Sequence, residues 1–325
     1  MSLTYPWYKK GARPLPAAVA GLPCLEAELW REVCPGSELS VSLEGPIFDT
    51  AGNFYFCCNA VDPAIGEKVM KITPDGEMTE FFRRPGMRIT GLAIHKDGRI
   101  FGADLRGHIV ILQPDGTCER AIPIRTPEGA FMAPDDLVFD DRGNLYFTDL
   151  RGWPGDPAGG LYRMTAESDY AGFELVLGNL CGPNGISFTP DYKALWIGES
   201  GRKCLTRIEL LPDGTPNFHG GINVIPMSLG VGIPDSNKVD SDGNVYQAVV
   251  KSGRVAIFDP NGIQLANVLI PGRDEGLHLM SSNLVIRPGT DECYCVAGGE
   301  PGNPVGAAIF RFRALAPAQE LYSHM

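Results

Sequence analysis

The 325-residue chain has no uninterrupted apolar run long enough to span a bilayer, so no membrane partner is expected. Basic residues are in deficit: 28 Lys and Arg stand against 39 Asp and Glu, and the formal charge is −11. No basic block offsets that excess, which makes nucleic acid and acidic membranes poor partners. The nine cysteines are odd in number and scattered, and none forms the paired spacing of a zinc site. Cys57-Cys58 and Cys293-x-Cys295 lie in strand-like sequence, where free thiols behave as small hydrophobes, so a reducing, cytoplasmic setting is expected. HExxH is absent, and Gly198-Glu199-Ser200-Gly201 lacks the spacing of a nucleophile elbow, so zinc-protease and serine-hydrolase chemistry have no support. Prolines interrupt the amino-terminal MSLTYPWYKKGARPLPAAVAG, which leaves no signal-peptide core. Sustained 3.6-residue apolar periodicity is also missing, which argues against long amphipathic helices.

Turn chemistry is plentiful, with 40 glycines and 27 prolines. From about residue 40, short apolar strands alternate with Asp-Gly, Asn-Gly and Pro-Asp-Gly turns. One unit recurs: IFDTAGNFYF from Ile47, LAIHKDGRIFGAD from Leu92, LVFDDRGNLYFTD from Leu137, ISFTPDYKALWIGE from Ile186, NKVDSDGNVYQAV from Asn237 and LVIRPGTDECYCVA from Leu284. Their turn centres, near Gly52, Gly98, Gly143, Tyr192, Gly243 and Asp291, lie 45 to 51 residues apart. Second hairpins turn at Pro74-Asp75-Gly76, Pro114-Asp115-Gly116, near Ala166-Glu167-Ser168, at Pro212-Asp213-Gly214 and at Pro260-Asn261-Gly262. Two hairpins per unit make a four-stranded sheet, and six such sheets cover one another's apolar faces only when arranged radially. The sequence therefore predicts an all-β, six-bladed β-propeller filling residues 1–325 as one domain, with an amino-terminal extension over about 1–40. Residues 25–33 read equally as a helical segment or an early strand. One terminal stretch is expected to complete the blade at the opposite end of the chain.

Polar residues immediately before the repeated strand would converge at one mouth of a propeller's channel. Four share that phase: Glu44 in LEGPIF, Asp135 in APDDLVF, Asn184 in GPNGISF and Asp235 in IPDSNKV. Three carboxylates and an amide oxygen suit a hard divalent cation, calcium first, with magnesium, manganese or zinc as other occupants. Taken singly, each residue could instead cap a strand or an Asx turn. Asp136 and Ser236 are neighbours that either support the site or shape the turn. His278 and Arg273, in and after GRDEG, could reach the mouth or merely anchor their loop, and Phe131 and Met132 could line a substrate pocket or pack.

From about Leu43 onward the chain resembles the SMP-30/gluconolactonase/LRE-like family, and within it the bacterial drug-responsive, calcium-dependent lactonases. The resemblance rests on EGP at Glu44, PDDLVFDDRGNLYFTD from Pro134, PNGISFTPD from Pro183, PDSNKVDSDGNVY from Pro234 and LIPGRDEG from Leu269. It implies a propeller with a divalent cation in its channel and hydrolysis of a small-molecule lactone. Carried over by position, the metal residues are Glu44, Asn184 and Asp235. Asp135 stands beside the metal as the implied general base, or as a nucleophile. Many relatives have asparagine at that position, whereas the lactonase branch has aspartate. The family also contains organophosphate hydrolases, so phosphotriester cleavage is the alternative chemistry, and a non-enzymatic calcium-binding scaffold is the alternative to an enzyme.

Overall fold

A computed structural model describes residues 14–34, 41–60, 66–300 and 306–325, so residues 1–13 of the amino-terminal stretch lie outside the described set. The expected hairpins form six small sheets arranged as a six-bladed propeller. The first blade runs outward through Val41–Phe48, Phe54–Ala60, Glu67–Ile72 and Met78–Phe82. The inner strands of the other blades are Ile89–Ile94, Pro134–Phe139, Pro183–Phe188, Ile233–Val239 and Met280–Ile286. Each inner strand packs on the next and the last packs on the first, so the ring closes.

Closure uses both ends of the chain. The strand Glu28–Cys34 pairs antiparallel with Ala307–Arg313 and forms the outer edge of the sixth blade. Just before it, Cys24–Glu26 adds in parallel to Gln264–Leu269 as a fifth strand on the fifth blade. The ambiguous segment around residues 25–33 is thus strand, and it is fixed by partners from the distant end of the sequence rather than by local periodicity.

Six apolar clusters, one at each junction between neighbouring blades, form the core among the described residues. Aromatic and branched residues alternate onto both faces of each sheet because a blade is covered on both sides. Trp30, for example, meets Phe54 and Tyr294 edge-to-face between the sixth and first blades.

The turns after the inner strands gather at one end of the ring. There Asp140 Oδ1 accepts the Arg142 and Asn144 N–H groups at 2.9 and 2.8 Å, and Asp49 and Asp240 repeat the arrangement. The carboxyl-terminal tail crosses this end. Ala318, Gln319, Leu321, Tyr322 and Ser323 join the far halves of the inner strands around an apolar cavity of about 70 Å³. Tyr192 donates to the Glu320 carbonyl at 2.7 Å, and the Tyr322 hydroxyl lies 3.3 Å from His95 Nε2.

Candidate functional site

At the other end of the ring, all six inner strands break their hydrogen-bond register near their starts. In the third, fourth and fifth blades two residues stand where the partner strand supplies one. They are Asp135-Asp136 between Pro134 and Leu137, Asn184-Gly185 between Pro183 and Ile186, and Asp235-Ser236 between Pro234 and Asn237. Glu44 borders the same irregularity in the first blade. A bulge turns a side chain out of the ladder and frees backbone carbonyls, and proline on the strand side costs no ladder bond there. The Pro-Asp and Pro-Asn pairs therefore produce the geometry locally.

Hydroxyls of neighbouring strands hold the carbonyls along this rim. Ser282 donates to Leu43 O at 2.6 Å, Thr90 to Asp135 O at 2.9 Å, Thr148 to Asn184 O at 2.7 Å and Ser200 to Pro234 O at 2.7 Å. All four bonds cross from one blade to the next, so each candidate residue is aligned by its neighbour. The strands come close enough that a Cβ at Gly185 would lie 2.4 Å from Ser236 Cα, and one at Gly45, where φ is +52°, would lie 2.9 Å from Thr90 O. Thr90 and Ser282 occupy the second- and sixth-blade positions of the same ring. Sequence reading passed over them because hydroxyl residues are weak ligands; Thr90 lies eight residues before Gly98, the phase that Asp135 holds to Gly143, and Ser282 lies nine before the turn centre Asp291.

Charge is crowded here. Burial raises the Glu44 carboxyl well above the usual range, and repulsion from Asp235, Asp135 and Asp136 adds to it, against a hydrogen bond from Ser282. Asp235 is likewise raised by burial and then by Asp135, against hydrogen bonds from Asn184 and the Ser236 N–H. Burial and then Asp136 push Asp135 up to about 7, with Thr90 and Arg88 opposing. Glu44 and Asp235 keep partial solvent access although protein encloses their carboxyls on most sides. Asp136 is buried, accepts the Leu137 N–H at 2.9 Å and lies 3.4 Å from Lys238 Nζ, which reaches across from the fifth blade. Lys238 was missed in the sequence because its role depends on that cross-channel approach. Ser236 is buried beside the site, and its carbonyl accepts from Gln247 at 3.1 Å.

The remaining candidates fall elsewhere. His278 lies in the loop before the sixth blade, with Nδ1 bonded to the Pro271 carbonyl at 3.2 Å and its ring edge-on to Phe310 at 5.0 Å. Burial lowers its pKa. Arg273 is buried against Ser252 O at 3.0 Å and Asp274 at 2.7 Å, which fastens the same loop. Met132 is buried in the cluster between the second and third blades, whereas Phe131 is half exposed under the Arg125 guanidinium, 3.5 Å from its ring centre. The structure thus groups Glu44, Asp135, Asn184, Asp235, Asp136 and Ser236, and gives His278, Arg273 and Met132 packing or anchoring partners.

A hard cation would suit the grouped residues. The Asn184 side-chain oxygen is buried without a hydrogen-bond partner, an expensive state for an amide unless another ligand supplies one. The donors are all oxygen, as calcium or magnesium requires. Among the described residues, no three His, Cys, Asp or Glu side chains are already drawn close enough to enclose an ion.

Three comparisons place the chain among known proteins. Residues 43–275 match the SMP-30/Gluconolactonase/LRE-like region. Lactonase drp35 of Staphylococcus saprophyticus is 33% identical over 324 residues, covering 97% of this chain and 96% of that protein. The Staphylococcus haemolyticus lactonase drp35 is 32% identical, with 98% and 97% covered. Among solved structures, a calcium-binding regucalcin from Agrobacterium tumefaciens superposes with TM-score 0.69 at 18% identity, covering 92% of this chain and 99% of that one. A Xanthomonas campestris gluconolactonase gives TM-score 0.65 at 19% identity, with 93% and 98% covered. The match over most of the repeats, together with near full-length similarity to the staphylococcal proteins, establishes that the chain belongs to the SMP-30/gluconolactonase/LRE-like family.

Proposed function

We propose that this protein is a lactonase that opens a cyclic ester to its hydroxy acid with the aid of a divalent cation, calcium first. Glu44, Asn184 and Asp235 are the residues that would hold the ion, with Asp135 beside it. The observation carrying this reading is the coincidence of three crowded, mutually repelling carboxyls with an unpartnered Asn184 oxygen at one channel mouth. Similarity to lactonase drp35 supports a lactone as the substrate class.

The bound cation would supply Lewis-acid polarisation of the ester carbonyl. Asp135 acts as general base: its carboxylate takes a proton from water as the water oxygen bonds to the carbonyl carbon. When the ring C–O bond breaks, the same carboxyl returns that proton to the departing alkoxide, leaving a carboxylic acid and an alcohol. A value of about 7 for Asp135 suits this two-way transfer near neutrality. Thr90 holds the Asp135 backbone in place, and Lys238 Nζ lies 3.4 Å from the neighbouring Asp136 carboxyl. Phe131, half exposed in the loop that leads into the Asp135 strand, would offer apolar surface to the substrate ring.

Hydrolysis of a panel of lactones and phosphotriesters, measured before and after chelation and again after calcium is restored, tests the proposal. Chelator-sensitive, calcium-restored lactone opening is expected. Exclusive phosphotriester cleavage would reassign the chemistry, and inactivity of the calcium-loaded protein on the whole panel would favour a binding scaffold.

A further inference from the structure

Apolar surface is unevenly spread around the mouth. Among the described residues, Phe131, Trp153 and Val231 are the large apolar side chains left exposed on the mouth-end loops, at 51, 59 and 62%. Phe131 and Val231 lie in the loops that lead into the strands of Asp135 and Asp235. Trp153 follows the strand whose Asp149 is the ladder partner of Pro134, the residue before Asp135. The three therefore rim the third to fifth blades, whereas the mouth loops before the second and sixth blades present charged residues such as Arg84 and Glu275. The Trp153 loop is fastened by its backbone. Trp153 and Asp156 exchange N–H···O bonds at 3.0 and 2.8 Å, Leu150 N–H donates to Ala133 O at 2.9 Å, and Gly182 N–H donates to Arg151 O at 3.2 Å. Arg151 in turn pairs with the buried Asp149 at 2.6 Å. The Val231 loop is held by Lys203, which donates to Gly230 O at 2.7 Å, and by Arg254, which donates to Ser228 O at 2.9 Å. An indole held in water by a tight turn forgoes burial that a covering ligand would restore, and little ordering is needed when the ligand arrives.

We propose that Trp153, with Val231 and Phe131, forms an apolar crescent that binds the substituent of the lactone, so that the substrate class is lactones bearing an alkyl chain or aryl group. The inference rests on the lactonase reading of the mouth and adds which lactones it takes. Continuity with the site identifies the occupant. Each loop joins directly to a strand of the Asp135 or Asp235 blade, so a substituent leaving the ester toward these blades runs onto the crescent. Trp153 touches the substituent and not the reacting bond, so it acts on KM and leaves kcat nearly unchanged. Full burial of one methylene corresponds to about fourfold in affinity, and an open rim covers each methylene only in part.

The test assays full-length, calcium-loaded protein on γ-lactones whose side chain grows from methyl to heptyl. Along that series kcat/KM should rise by about two- to fourfold per methylene, carried by KM. Trp153→Ala, verified as folded by its thermal transition, should flatten the rise while changing the methyl member by less than about twofold, and Trp153→Phe should restore most of it. A flat series in the unaltered protein, or an unchanged slope in Trp153→Ala, would overturn the inference and leave lactone opening in place. Tryptophan emission reads the crescent whether or not any lactone is opened. Adding the heptyl lactone should shift emission to shorter wavelength in the unaltered protein and not in Trp153→Phe, and unshifted emission would overturn the inference independently of turnover. A dimer in sedimentation velocity that Trp153→Ala converts to monomer would make this rim a contact between copies and would overturn it as well.

Discussion

At the turn end of the ring, Asp49, Asp140 and Asp240 each accept two backbone N–H groups and the side-chain amide of Asn53, Asn144 or Asn244. Tyr55 and Tyr246 add hydroxyl donors to the first and third of these. At the opposite mouth, Glu44, Asp135 and Asp235 receive fewer donors, repel one another and are pushed toward protonation. Both sets arise from acidic residues beside the same repeated strand. One set is satisfied by the chain itself, while the other has lone pairs that a cation would satisfy. Carboxylate number therefore says little about metal binding, and the pattern of donors around each group says more.

The sharpest way to break that contrast is substitution at each end. Asp135→Asn should lower lactone turnover by about 10²- to 10⁴-fold while calcium binding persists, as measured by steady-state kinetics and calorimetry on one preparation. Full turnover in this variant would remove Asp135 from the chemistry.

The mouth carboxyls should also carry a pH dependence, which the buried turn carboxyl Asp140 shares in direction. Because the folded Asp135 carboxyl sits near 7, above its ordinary value of 3.8, the folded protein binds more protons than the unfolded chain between those limits. The contribution of this carboxyl to the stability of the metal-free protein should accordingly be fully present below the lower limit and be lost as pH rises through the upper one, with Glu44 and Asp235 adding in the same direction. Calcium at about a hundredfold excess over Kd should recover about 3 kcal/mol, a rise of about 4 °C in midpoint by calorimetric scanning at neutral pH. A calcium-insensitive midpoint would place these groups with the turn carboxylates.

At the turn end, Asp240→Ala should cost about 2–3 kcal/mol through its backbone, amide and phenol donors, equally with and without calcium. Denaturant unfolding with and without the ion separates this from a mouth effect. Thr148→Val, which removes the bond to the Asn184 carbonyl, should cost about 1–2 kcal/mol and weaken calcium binding, since it loosens a rim residue without touching its side chain. Smallest of all, Phe131→Ala should raise KM by less than about tenfold and leave kcat nearly unchanged, as expected for an exposed apolar contact.

Much of this contrast was legible in the sequence. The six turn-centred repeats fix the blades because each hairpin is local, and the shared phase of Glu44, Asp135, Asn184 and Asp235 marks the start of each inner strand. Segment 25–33 stayed ambiguous because Leu29 and Trp30 become strand only on meeting Phe310 and Tyr294 from the far end of the chain. Thr90 shares the informative phase and Ser282 lies one residue off it, but their hydroxyl chemistry carries no metal signal by itself. His278 and Arg273 looked like mouth residues because their loop precedes an inner strand. Their partners Pro271, Phe310 and Ser252 turn them into the wall between blades. Sequence phase locates a position along a strand, and packing decides which way a loop side chain turns.

Calorimetric titration of calcium into chelator-stripped protein near pH 6.5, repeated in buffers of different ionisation enthalpy, tests the mouth site most directly. One ion should bind in the channel with release of protons from the crowded carboxyls, and Asp235→Ala should abolish both signals. Binding that releases no protons and survives Asp235→Ala, or no binding by the unaltered protein, would contradict the assignment.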